Sequence, residues 1–196
     1  MKTISKKLTL IDFILPKLEG KVLILIKDLL LVLGFTILTA LCAKIKIEIG
    51  PVPITGQTFA VLLSGVFLGS IRGGYSQLFY LLGGLAGIPW FARGGGIAYL
   101  LQPTFGYLIG FVFAAFIIGY LAEKGWDRNF IRCALIMILG NIIIYFFGLL
   151  WLGRFTGYAN VLAKGFYPFI IGDLLKIILA IIVLSSLWKW KSSKVS

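Results

Sequence analysis

The sequence predicts an all-α membrane protein of six transmembrane helices, with both termini on the cytoplasmic side. Three observations carry that prediction. Of the 196 residues, 60% are hydrophobic and only 13% charged, against roughly 45–50% apolar and about 25% charged in a soluble domain. The apolar runs are unbroken, whereas the strands of a transmembrane barrel would alternate apolar and polar residues. The basic residues between the runs fall mostly on one side, and that bias sets orientation.

A helix crosses the hydrocarbon core with about 20 apolar residues, in a range near 17–25. Residues 22–43 form the first such run, with Lys27 and Asp28 near its start. Residues 56–70 and 74–88 are shorter and meet at a tight turn, Ile71-Arg72-Gly73-Gly74. They read either as two short spans or as a re-entrant hairpin, which would leave four crossings. Residues 103–122 carry no charge; 133–152 follow; 166–188 hold Asp173 and Lys176. With six spans and the N-terminus inside, thirteen of the nineteen Lys and Arg residues lie on the inner side. Lys44, Lys46, Arg93, Arg154 and Lys164 lie outside, and Lys176 lies within a span.

The chain divides into a basic interfacial segment (residues 1–21), a six-helix membrane domain (22–188) and a basic cytoplasmic tail (189–196). The net charge of +12 fits loops that flank membrane spans better than nucleic-acid binding. Cys42 and Cys133 are expected at opposite membrane ends, which makes a disulfide improbable. MKTISKK leads into no compact apolar core with a cleavage site, so no signal peptide is expected.

Several chemistries have no residues to perform them. There is no histidine, the commonest metal ligand and general base. No GxxxxGK[ST], HExxH, CxxC or GxSxG occurs. An enzyme is therefore not expected, and active transport would draw on an ion gradient or a partner.

The polar residues that remain cluster. Gly50-Pro51-Val52-Pro53-Ile54-Thr55-Gly56-Gln57-Thr58 is a proline-stiffened loop with three hydrogen-bonding side chains; it reads as a connector or as part of a site. Residues 87–103 form a long apolar loop with Trp90, Phe91, Arg93, the triplet Gly94–Gly95–Gly96 and Tyr99. It reads as an aromatic belt with Arg93 at lipid phosphate, or as a lid over a ligand, with Gly95 and Gly96 letting backbone pass close. Asp173 and Lys176 share a helix face at i and i+3. A charge at mid-bilayer costs about 2.5–3.5 kcal/mol on the lenient insertion scale, so the pair is either a packing bolt or a polar site facing a cavity. Asn141, Gln77 and Tyr80 either bond between helices or face the same interior.

PVPITGQTFAVLLSGVFLG, YLLGGLAGIPWFARGGG, QPTFGYLIGF and PFIIGDLLK together resemble the BioY family, the biotin-binding S components of energy-coupling-factor (ECF) vitamin transporters. The resemblance covers about residues 22–188. It implies six helices, high-affinity biotin binding near the outer face under the first and third loops, and a cell-membrane location. It implies a partner module of one transmembrane coupling protein and two ATPases, with biotin as transported ligand and no cofactor. Arg93, Asp173 and Lys176 stand in the matching motifs as binding residues, with Gln57 and the Gly94–Gly96 triplet near the ligand. Trp90, Phe91 and Tyr80 suit the apolar parts of biotin. In the first helix Lys44 stands four residues after Ala40, so the small-residue seam associated with the coupling contact is displaced toward Thr36 and Ala40. An S component for another vitamin, a channel or structural membrane protein, and an intramembrane enzyme are the competing readings.

Overall fold

The computed structural model describes residues 9–15 and 18–195, with side chains described as far as Trp188. Lys2, Lys6, Lys7 and Lys17, and the side chains of Lys189, Lys191 and Lys194, lie outside the described residues. The chain is mostly helical. A short α1 (Leu10–Ile14) precedes α2 (Lys21–Lys44), and a two-stranded antiparallel ribbon pairs β1 (Lys46–Ile47) with β2 (Ile54–Thr55). Then come α3 (Gln57–Leu68), α4 (Ser70–Leu85), a 3₁₀ turn at Ile97–Leu101 and α5 (Phe105–Glu123). Last are α6 (Phe130–Thr156), the short α7 (Val161–Gly165) and α8 (Ile170–Val195).

Four stretches are long and apolar enough to cross a membrane: Lys21–Lys44, Phe105–Glu123, Phe130–Thr156 and Tyr158–Trp188. α3 is apolar but shorter. Of these, α5 is the central helix, packed against α3, α4 and α6. At the edge, α2 leaves Val22, Leu25, Leu30 and Leu41 exposed. Apolar area open to water forgoes about 25 cal/mol per Å², so this face suits lipid.

The turn between the two short helices is not where the sequence put it. It falls at Gly69, and α4 begins at Ser70. Gly69 has φ +83, a left-handed conformation that glycine adopts without Cβ strain. Gly73 serves close helix approach instead: a Cβ there would lie 3.0 Å from the Gly65 Cα and the Ser64 carbonyl. The same turn seats against α5, where a Cβ on Gly119 would meet the Gly69 carbonyl carbon at 2.3 Å. Glu123 Oε1 then accepts from the Ser70 backbone N–H at 2.7 Å and its hydroxyl at 2.8 Å.

At that same end of the bundle the N-terminal residues are packed in. Leu10 is fully buried. The Arg72 guanidinium donates to both Asp12 carboxylate oxygens, at 2.9 and 2.7 Å, and to Asp28 at 3.0 Å. This fork-to-fork geometry is the strong form of an ion pair. Cys42 and Cys133 are free thiols.

Candidate functional site

Three helices bring a polar cluster together at the other end of the bundle. Thr58 stands in the first turn of α3, Tyr145 a little past the middle of α6, and Asp173 and Lys176 in the first two turns of α8. Lys176 Nζ donates to Asp173 Oδ1 at 3.0 Å and to Thr58 Oγ1 at 2.9 Å. The Thr58 hydroxyl donates to Asp173 Oδ1 at 3.4 Å, and the Tyr145 hydroxyl donates to Asp173 Oδ2. Asp173 is only 6% exposed. The anion in the apolar helix is therefore met by an ammonium and two hydroxyls, which is what a buried charge requires.

These groups open onto a narrow cavity of about 50 Å³. Val52, Pro53, Thr55, Gln57 and Thr58 line it from the first long loop and α3. Ala92, Tyr99 and Thr104 come from the loop before α5, Tyr107, Leu108 and Phe111 from α5, and Ile144, Tyr145 and Phe169 complete the wall. Aromatic and aliphatic walls with a few convergent polar groups are the usual makeup of a small-molecule site.

The two loops over the cavity are clasped to each other. Arg93 Nη1 donates to the Pro51 carbonyl and Nη2 to the Gly50 carbonyl, both at 2.9 Å, and Nε reaches Glu48 Oε2 at 3.2 Å. Hydrogen bonds from Arg93 and Lys46 hold the Glu48 carboxyl down at about 2. Lys44 Nζ adds bonds to the Pro89 and Phe91 carbonyls at 2.7 and 3.0 Å.

The predicted site residues thus divide by position. Asp173, Lys176 and Gln57 line the cavity. Arg93 lies outside it, in the clasp. Tyr80 and Trp90 stand behind it as a brace: the Trp90 indole N–H donates to the Tyr80 carbonyl at 2.8 Å, and Gln57 Nε2 donates to the Tyr80 hydroxyl, also at 2.8 Å. Gly95 fills a place where a Cβ would meet the Ile88 carbonyl at 2.3 Å, and Gly96 donates its N–H to the Gly84 carbonyl at 2.7 Å. Both glycines shape the loop and neither lines the cavity. Asn141 is buried one turn before Tyr145, donates to the Met137 carbonyl at 3.3 Å and leaves its Oδ1 without a partner among the described residues. Gln77 bonds Thr39 and Ser64, tying α2, α3 and α4 together. Sequence reasoning missed Tyr145 and Tyr107. Each is a hydroxyl inside an apolar helical run, and only its spacing relative to other polar residues on the same helix would have singled it out.

The BioY family model matches residues 9–193. The probable biotin transporter BioY of Pyrococcus horikoshii is 42% identical over 158 residues, covering 80% of this chain and 93% of that one. The biotin transporter BioY of Thermotoga maritima is 39% identical over 151 residues, covering 76% and 88%. A crystal structure of the S-component for biotin from an ECF-type ABC transporter superposes with a TM-score of 0.76 at 27% identity, covering 88% of this chain and 95% of that one.

Proposed function

The chain belongs to the BioY family, and from that premise we infer its function: it is the biotin-specific S component of an ECF-type transporter. It is a multi-pass membrane protein rather than an enzyme, and biotin is its cargo.

The biotin site is the cavity built on Asp173 and Lys176. The carrying observation is that these two charges, with Thr58 and Tyr145, face a cavity rather than lipid. The fit is chemical. A ureido ring offers N–H donors to the Asp173 carboxylate, while the Lys176 ammonium suits an oxygen of the ureido group or of the carboxylate tail. Tyr99, Tyr107 and Phe111 offer apolar faces to the thioether ring and chain.

Size adds a requirement. Pockets for ligands of this class hold roughly 300–1,000 Å³, several times the cavity described here. Biotin enters only when the loops part, so the Arg93 clasp is the gate. Arg93 then acts on binding through the closed loops, or meets the ligand's carboxylate once they move.

Six crossings are the topology that suits this structure. The α3–α4 turn meets Glu123 at one end, and Gln57 meets Tyr80 at the other. Both short helices pack along α5, with the turn between them seated at its Glu123 end. Both termini are cytoplasmic by the distribution of basic residues, the membrane is the cell membrane, and one transmembrane coupling protein with two ATPases supplies the energy.

The test is calorimetric titration of the detergent-solubilised protein with biotin, with thiamin and riboflavin as controls. Saturable binding of biotin alone is expected. Failure to bind biotin, or equal binding of a control vitamin, rejects the proposal.

A further inference from the structure

The connection between α5 and α6 turns through a short 3₁₀ segment, Trp126–Arg128, at the end of the bundle opposite the cavity. Its two charged residues are treated differently by the fold. Asp127 is 5% exposed, and its Oδ2 accepts from the Trp188 indole N–H at 3.0 Å. Arg128 points outward and is held by rings: its guanidinium lies 4.9 Å from the Trp188 ring centre and 5.4 Å from that of Phe13. Cation–π contacts of this kind hold the guanidinium without using its N–H groups. Among the described residues no oxygen accepts from them.

Arg128 borders an open groove of about 620 Å³ between the start of α6 and the end of α8. The rest of its lining is amphipathic in order. Ile181, Ile182 and Phe130 form an apolar floor, and Ser185, Ser186 and Trp188 follow along α8 toward the end of its candidate span. Neither serine hydroxyl has a hydrogen-bond partner among the described residues. Phe130 and Ile182 are 65% and 56% exposed, so the floor continues into the outer, lipid-suited surface of the bundle. Lys124 and Arg132, each over an aromatic ring of the same end, add positive charge.

We propose that this groove is a binding site for an anionic phospholipid, with the headgroup phosphate on Arg128 and the two serine hydroxyls and an acyl chain along Ile181, Ile182 and Phe130. The occupant follows from two features that occur together. A planar guanidinium with free donors suits a phosphate bidentately, and an apolar floor running toward the membrane interior suits a chain attached to that phosphate. A soluble phosphate has no use for the floor, and a neutral lipid has less for the cation. Basic pockets between membrane helices hold anionic headgroups on the same physical grounds.

The experiment is native mass spectrometry of the full-length protein in detergent, titrated with dioleoylphosphatidylglycerol or dioleoylphosphatidylcholine. Preferential retention of phosphatidylglycerol is expected, and Arg128→Gln is expected to weaken it by about tenfold while biotin binding persists. The double variant Ser185→Val/Ser186→Val leaves the contacts of Arg128 with the two rings intact and is expected to weaken phosphatidylglycerol binding several-fold. Equal retention of the two lipids, unchanged phosphatidylglycerol binding in Arg128→Gln, or its displacement by equimolar inorganic phosphate overturns the proposal. Should Arg128→Gln not hold biotin, the serine variant decides: undiminished phosphatidylglycerol binding there rejects the site.

Discussion

Replacing Asp173 by Asn tests the centre of the site, because the two side chains have nearly the same shape. In the native cluster Asp173 accepts from Lys176, Thr58 and Tyr145. An amide has one acceptor oxygen and presents an NH₂ group on its other side. That NH₂ then faces either the Lys176 ammonium, donor against donor, or the Tyr145 hydroxyl, which must turn to accept from it and loses its own acceptor. A hydrogen bond to a charged group is worth about 1.5–3 kcal/mol. If the carboxylate also receives a ureido N–H, biotin affinity falls by roughly 10- to 150-fold. Calorimetric titration measures it, with a thermal melt confirming that the variant is folded. The loss has a second possible source in the stranded ammonium of Lys176. Asp173→Asn/Lys176→Met removes the unpaired charge together with any contact of Lys176 to biotin, so full recovery there assigns the whole loss to the stranded ammonium. Affinity within about twofold of wild type in the single variant, or full recovery in the double one, refutes direct acceptance by Asp173.

Other predictions follow from the clasp, the packing and Asp127, a buried carboxylate outside the candidate spans. Arg93→Gln removes the bonds to Gly50, Pro51 and Glu48 together, so biotin should dissociate faster, and faster than in Glu48→Gln, which removes one partner; equal and unchanged rates in stopped-flow release reject the gate. Gly119→Ala drives a Cβ into the backbone of Gly69 and Ser70, at 2.3 and 2.4 Å, and overpacking of this kind costs about 1–3 kcal/mol; its melting temperature should drop. Burial pushes the Asp127 carboxyl up from 3.8 to about 6. The folded protein therefore binds that proton more tightly than the unfolded chain, and stability falls as pH rises through this window, by about 3 kcal/mol at most. Asp127→Asn should raise the melting temperature at neutral pH and flatten the profile between those two values; an unchanged profile shows that Asp127 does not set it.

The helices were legible because lipid-facing and core-facing residues alike are apolar in a membrane, so each span announces itself as a run. Their boundaries were read less well where glycine has two uses. Ile71 to Gly74 looks like a turn in one dimension. In three, Gly69 makes the turn, and Gly73 lets α4 approach α3. The site was partly legible for a similar reason. Asp173 and Lys176 stand out against an apolar background, since a charge there is costly and needs a cause. Tyr145 and Tyr107 do not stand out, because an aromatic in an apolar run is cheap wherever it points.

By itself, then, the sequence determined the class of the protein, the runs that become helices and the family, and it singled out the charged pair that faces the candidate cavity. These depend on local composition and order, which the chain carries along its length. Only the tertiary structure decided that Arg93 closes a clasp outside the cavity while Gln57 lines it, and that Tyr80 and Trp90 brace the loop from behind. Those roles depend on which side of a folded loop a side chain leaves, and that is set by contacts between residues such as Arg93 and Gly50, or Trp90 and Tyr80, that only folding brings together.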